Sequence, residues 1–353
     1  MIKLNPPFID VVQTLQLMEK VLTSGTLTQG EMVLEFEDLC AEMANSAYAI
    51  AVSNATVGLE LVLGALRYKP GDEVITTPFT FKATINAILR AGAVPRFADI
   101  LDDYTIDPES VKNLINEKTR AIVAVHMYGY PADLKALYSV IGDRNILVIE
   151  DAAQAHGSRY CGKPVGAQSL AGVFSFYATK NVGAGEGGCI TTNSHELADH
   201  LVNVRNHERS RSIKYNSLPT NARMSELNAA VAIPQLKNLR VINDVRRANA
   251  AKLINYTGFD PQYNPNRWGN YHLYTIEVND PGKFINYMRD RGIECASYYR
   301  YIYDSYMLQY ENGTDKFPKA YGKANRVVSL PVHPGLTEEE VEYIGESYLE
   351  YRA

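Results

Sequence analysis

Four side chains in this sequence are of types that could act together on one ligand: Lys180, Asp151, Thr56 and Ser175. Asp151 closes the apolar run Asn145 to Glu150, so it falls at the carboxyl end of an expected strand, where open α/β sheets bind ligands. A carboxylate there can hold a cationic ring nitrogen; the plainer reading is that it N-caps a helix beginning Ala152-Ala153-Gln154. Lys180 stands in FSFYATKNVGAGEGG, behind another expected strand and ahead of glycines that permit tight turns beside a ligand. An isolated lysine is ordinarily just solvated. Thr56 opens a helix after the run Tyr48 to Val52, so its hydroxyl and the helix amides suit an anion. For Thr56 and Ser175 the alternatives are a cap and a satisfied strand hydroxyl. Jointly the four fit a cofactor with an aldehyde for the amine, a pyridinium nitrogen for the aspartate and a phosphate for the hydroxyls, which is pyridoxal phosphate.

These residues need a scaffold, and the sequence supplies one. Short β-branched runs alternate with helical patterns between about residues 48 and 192, the rhythm of an α/β sheet with helices on both faces. The expected strands are Tyr48 to Val52, Glu73 to Thr77, Val94 to Asp99, Ala121 to His126, Asn145 to Glu150, Val173 to Phe176 and Cys189 to Thr192. Met224 to Ala250 reads as one long helix bent at Pro234. A smaller α+β unit follows, with segments His272 to Val278, Pro281 to Arg291 and a closing helix Glu338 to Tyr351. The expected division is a large domain over 1–240, whose N-terminal segment packs on the small domain, and a small domain over 241–353.

Composition narrows the class. The 353 residues carry 35 Lys and Arg against 40 Asp and Glu, a net charge of −5, which offers no general attraction for nucleic acid or an anionic membrane. With 46% hydrophobic and 21% charged residues the chain is ordinary globular protein. MIKLNPPFID lacks an apolar signal region, so the cytoplasm is expected. Cys40, Cys161, Cys189 and Cys295 form no paired motif, and His126 and His156 belong to no metal-ligand spacing, so no metal is expected.

Two motifs fail on context. Gly183, Gly185 and Gly188 satisfy G-x-G-x-x-G, with Glu208 some way on, but lead into the strand-like CITT where a dinucleotide fingerprint must open a helix. Gly157, Gly162 and Lys163 imitate a P-loop, but Pro164 stands where Ser or Thr must ligate magnesium; a surface turn is the better reading.

Several blocks in fixed order resemble the DegT/DnrJ/EryC1/StrS sugar aminotransferases, and the resemblance runs nearly end to end. They include LTSGTLTQGEMVLEFE, SNATVGLELVL, TPFTFKATINAILRAGAVPRFADI, HMYGYPAD, IEDAAQAHGS, FSFYATKNVGAGEGG, NARMSELNAAVA and SLPVHPGLTEEEV. The resemblance implies an aspartate aminotransferase-like fold, pyridoxal-phosphate fold type I: a large, mostly parallel mixed sheet domain and a smaller C-terminal α+β domain. It implies that Lys180 holds the cofactor as a Schiff base, that Asp151 partners the ring nitrogen, that Gln154 lies near the ring's phenolic oxygen and that Phe81 stacks on the ring. Thr56, the backbone of Ala55, and Ser175 would meet the phosphate, with Asn221 arriving from the other subunit of a homodimer. Ala55 stands where the family often has glycine, and Pro234 interrupts a helix usually continuous there.

The implied reaction moves an amino group from L-glutamate or glutamine to a keto sugar on a nucleotide diphosphate, with pyridoxamine phosphate as the half-reaction form. The same fold could instead serve a cyclitol ketone or an aminohydroxybenzoate precursor, or persist as a non-catalytic sensor or scaffold. In the cationic stretch Arg205 to Lys214, Arg205, His207 and Arg211 could clamp a diphosphate, although such runs are more often solvated surface. Tyr298, Tyr299, Tyr301, Tyr303, Tyr306 and Tyr310 could stack a base or sugar, or simply pack between elements.

Overall fold

The structure is a computed structural model and describes residues 1–207, 219–260, 264–299 and 317–352. Helices α1 to α12 are Val11–Ser24, Glu31–Ala44, Ala55–Gly64, Lys82–Arg90, Pro108–Leu114, Leu134–Ile141, His195–Val204, Glu226–Lys237, Leu239–Thr257, Pro281–Asp290, Pro318–Ala324 and Glu338–Arg352. Strands β1 to β12 are Tyr48–Val52, Glu73–Thr76, Val94–Phe97, Thr119–Val125, Leu147–Asp151, Arg159–Tyr160, Lys163–Pro164, Ala171–Ser175, Gly188–Thr192, Arg267–Trp268, Tyr274–Glu277 and Val327–Leu330.

All seven strands expected from the large-domain rhythm form one sheet, ordered β1-β9-β8-β5-β4-β2-β3, in which β9 alone runs antiparallel to its neighbours. The parallel strands are buried on both faces, as helix-covered sheets require. Alternate residues feed two cores: Ala51, Ile122, Ala124, Val148 and Phe174 face one, where α2 and α8 pack. Ile50, Val52, Val123, Ile149 and Val173 face the other, under α3, α4 and α7. Because the parallel strands point one way, the segments that follow β1, β2, β5 and β8 gather at one edge, and they carry Thr56, Phe81, Gln154 and Lys180.

Glu226 ties α2 to the start of α8. Its buried carboxylate accepts the Gly30, Met32 and Val33 amides at 2.8 to 2.9 Å, satisfying the free donors that open α2. The expected single helix bent at Pro234 is corrected. Pro234 lies inside α8 without breaking it, and the break comes at Asn238. Burial of Ala229, Ala230, Ala232 and Ile233 holds the helix through the proline, while the Asn238 side-chain amide caps the Pro234 carbonyl at 3.0 Å.

Helix α9 starts with Leu239 in a core of the large sheet and continues with Ala250 and Leu253 in a second core formed by β11, β12, α10 and α12. The N-terminal residues join that second core: Ile2 bridges Ile293, and Leu4 is buried. The P-loop look-alike is the hairpin β6–β7, turned by Cys161 and Gly162 with φ of 49° and 77°. GAGEGG runs into β9, as its context required. No helix among the described residues is long and apolar enough to cross a membrane.

Candidate active site

Asp151 ends β5 and no helix follows it, so it is not a helix cap. It is buried, accepts the Thr84 hydroxyl at 2.7 Å and the Ala153 amide at 3.2 Å, and interacts electrostatically with Lys180. Burial pushes its carboxyl above the usual range; Thr84, the Ala153 amide, Lys180 and His126 pull the other way without cancelling it. A carboxylate so placed gains from a cation beside it.

Lys180 sits in a turn after β8, its amide hydrogen-bonded to the Tyr177 carbonyl at 2.9 Å. Desolvation lowers its ammonium to about 8, against the opposing pull of Asp151. His156 and His272 are buried, and burial followed by the charge of Lys180 holds both well below the usual imidazole range, His156 at about 3. An amine neutral near pH 8 is a competent nucleophile and base.

The anion end is built from three strands' worth of sequence. Ser175 ends β8 and stands opposite Gly188 of β9. Gly188 in turn lies against the Asn54–Ala55 peptide so closely that a Cβ there would fall 2.5 Å from the Asn54 carbonyl carbon and 2.7 Å from the Ala55 nitrogen. Ser175 and the first turn of α3, with Ala55 and Thr56, therefore meet in one place. Asn54 caps α3 by accepting the Val57 amide at 3.0 Å, and the amides of Ala55 and Thr56, which open the helix, suit a phosphate.

Gln154 is buried, its carbonyl oxygen accepting the Tyr128 amide at 2.7 Å and its amide donating to the Tyr299 hydroxyl at 2.9 Å. Phe81, which precedes α4, is 56% exposed, with its ring 5.8 Å from that of Tyr299. An amine, a carboxylate, a helix-end anion site and a free aromatic face thus share one edge of the sheet, a donor set that fits pyridoxal phosphate. Asn221 is exposed; it bridges Asn206, and the carbonyl of the next residue, Ala222, accepts the Ser53 amide at 2.8 Å.

The substrate-clamp reading of Arg205 is corrected. The residue is 6% exposed, pairs with Glu37 and donates to the Ala51 carbonyl at 2.6 Å, while the Ala51 amide donates to Glu37 at 2.8 Å. Its charge belongs to a buried ring joining α2 and β1. His207 is exposed and its amide donates to the Thr220 carbonyl at 3.1 Å. Arg211, with Glu208, Arg209 and Lys214, lies outside the described residues, as do Tyr301, Tyr303, Tyr306 and Tyr310. Sequence reading missed Thr84 and its neighbour Thr80, whose oxygens lie 2.9 Å apart. Their i, i+4 spacing at the start of α4, close behind a strand end, was the available signal.

A family model described as the DegT/DnrJ/EryC1/StrS aminotransferase family matches residues 10–348. A protein of Geobacillus stearothermophilus called a pleiotropic regulatory protein is 33% identical, with 99% of each chain covered. The dTDP-3-amino-3,4,6-trideoxy-alpha-D-glucose transaminase of Streptomyces venezuelae is 33% identical, covering 94% of this chain and 92% of that one. The crystal structure of DesV from S. venezuelae with a ketimine intermediate superposes with a TM-score of 0.91 at 32% identity, over 98% of both chains.

Proposed function

This chain belongs to the DegT/DnrJ/EryC1/StrS aminotransferase family and is a pyridoxal-phosphate-dependent aminotransferase, and from that premise we propose that it aminates the keto group of a nucleotide-diphosphate sugar, with L-glutamate or glutamine as donor. The observation that carries the reading is the convergence of a desolvated Lys180, a buried Asp151 and a helix-end anion site in a chain one-third identical to a dTDP-sugar transaminase.

Pyridoxal phosphate, when bound, supplies an aldehyde for amines and a ring that withdraws electrons. Asp151 keeps a proton on the ring nitrogen, because a nearby carboxylate raises that nitrogen's proton affinity. Lys180 would hold the cofactor, and its free amine would be placed to move a proton to and from the substrate's Cα. Gln154 would meet the phenolic oxygen, Phe81 would cover the ring, and Ser175, Thr56 and the Ala55 amide would hold the phosphate. Asn221 of each subunit completes the anion site of the other in a homodimer. Its exposure supports this, as do Val11, Val12, Leu15 and Leu22, apolar residues of α1 that are 60 to 68% exposed. We place the domain boundary at residue 240, in the first turn of α9, between its large-core and small-core ends.

The test is incubation with glutamate or glutamine and a panel of keto nucleotide sugars, followed by mass spectrometry of the products. A new amine on a nucleotide sugar is expected; amination only of cyclitol ketones would overturn the acceptor. The regulatory relative favours a second reading, a sensor without turnover, which predicts no amination of any ketone.

A further inference from the structure

The peptide linking Thr179 to Lys180 is held at both ends. Its N–H, that of Lys180, donates to the Tyr177 carbonyl at 2.9 Å. Its carbonyl, that of Thr179, accepts the side-chain amide of Asn5, a residue 174 positions away. Because a peptide unit is planar, fixing its two ends fixes the plane from which the Lys180 side chain departs.

Asn5 is itself oriented. Its oxygen accepts Nη2 of Arg246 at 2.7 Å, the shortest contact that this buried guanidinium makes; the carbonyls of Tyr271 and His272 are each 3.3 Å from Nη1. No carboxylate pairs with Arg246 among the described residues, and burial lowers it to about 9. A buried charge satisfied by neutral acceptors holds them firmly. With the Asn5 oxygen committed to Arg246, the planar amide must present its nitrogen on the other side, where Thr179 lies.

The segment carrying Asn5 packs on the small domain. The Ile2 amide donates to the Gly292 carbonyl at 2.7 Å, the Glu294 amide to the Ile2 carbonyl at 2.9 Å, and Nε2 of His333 to the Lys3 carbonyl at 3.0 Å. On the far side of Lys180, Asn181 donates to the Asn243 side chain at 3.0 Å and its oxygen lies 3.2 Å from Nδ1 of His272.

We propose that Asn5 is a positioning residue for Lys180, coupling the small domain to the turn that presents the lysine. It rests on the reading of Lys180 as the cofactor lysine, but the test reads the amine itself, with or without cofactor. Where Lys180 stands with the cofactor is read separately, by borohydride reduction and peptide mapping.

Two variants of the full chain separate the two bonds of Asn5. Asn5→Ala loses both. Asn5→Asp keeps an acceptor for Arg246 but sets an oxygen against the Thr179 carbonyl. Hydrogen exchange by mass spectrometry is expected to show amides 178–184 exchanging at least fivefold faster in both variants, with β11 and β12 as protected as in the parent. The pH midpoint for acylation of Lys180 by acetic anhydride, followed by peptide mapping, is expected to rise by at least half a unit in Asn5→Ala, because a loosened turn admits water to the amine. Parent-like protection of the turn in Asn5→Asp would overturn the proposal. So would faster exchange in Asn5→Ala without a midpoint shift, since Asn5 would then hold backbone only. If Asn5→Ala does not fold, exchange in Asn5→Asp, whose partner for Arg246 survives, decides the matter.

Discussion

Thr84 donates its hydroxyl to Asp151 across 2.7 Å, from the first turn of α4 to the end of β5. Since the Thr84 proton is engaged there, the 2.9 Å contact behind it must run from the Thr80 hydroxyl to the Thr84 oxygen. The two threonines form a directed pair that favours the ionised carboxylate, against a burial that disfavours it. Asp151 needs that help to stay charged.

Thr84→Val should therefore raise the proton affinity of Asp151 further and weaken the cofactor. Hydrogen bonds to charged groups contribute roughly 1.5 to 3 kcal/mol, so a loss of at least about tenfold in cofactor affinity is expected by absorbance titration. Asp151→Asn, nearly the same shape, should retain the fold and lose most turnover. Near-parent activity in Asp151→Asn would remove that residue from its role.

Acylation of Lys180 in the cofactor-free protein should show a midpoint at about pH 8, where an ordinary lysine reacts above 10. The sign is fixed by the cause: burial disfavours the ammonium, so the reactive amine persists well below the usual range. Asp151 opposes that shift, so Asp151→Asn should move the midpoint lower still. An unchanged midpoint in that variant would mean that the two groups do not interact. The same shift affects stability. The folded state binds fewer protons at Lys180 than the unfolded chain, so this group's contribution improves as pH rises from about 8 to 10.5.

Gly188→Ala should damage the anion end specifically. The added methyl meets backbone atoms of Asn54 and Ala55 at 2.5 and 2.7 Å, and backbone cannot swing aside as a side chain can. A stability loss of about 1 to 3 kcal/mol is expected from overpacking. Cofactor affinity should fall by more than about tenfold if the amides that open α3 meet the phosphate, since they must move. An unchanged affinity, measured by fluorescence titration, would detach Gly188 from the site.

Arg205→Ala and Arg211→Ala should behave differently. The first leaves Glu37 buried without its partner, which costs about 3 to 5 kcal/mol and shows in denaturant unfolding. The second, if Arg211 meets the substrate's diphosphate, should raise the acceptor KM about tenfold or more with the glutamate half-reaction intact. Parent-like stability of Arg205→Ala would mean that the pair with Glu37 is not what holds Arg205 inward.

Leu15→Glu on the exposed face of α1 should yield a monomer by light scattering, with activity lost alongside. Mixing inactive Lys180→Ala with inactive Asn221→Ala should restore a fraction of turnover, because a heterodimer has one intact site. No recovery in a confirmed heterodimer would place Asn221 outside the neighbouring site.

By itself the sequence determined the strands of the large sheet and the positions of Asp151 at a strand end and Lys180 in the turn after one. Those signals are local: β-branched runs, a charged residue closing an apolar stretch, glycines leading into CITT. It also determined the family, through blocks in fixed order. Tertiary structure decided what depends on distant partners. Arg205 reads as one cation in a basic run, and only the approach of Glu37, 168 residues away, turns it inward. Pro234 reads as a bend until burial of its neighbours holds α8 together through it. Thr84 shows locally only its spacing from Thr80, and Asn5 shows nothing, because their meaning lies in Asp151, 67 positions on, and in Thr179, 174 positions on. Periodicity reports which face of an element is buried, whereas the partner that a polar side chain finds is fixed only when the elements pack.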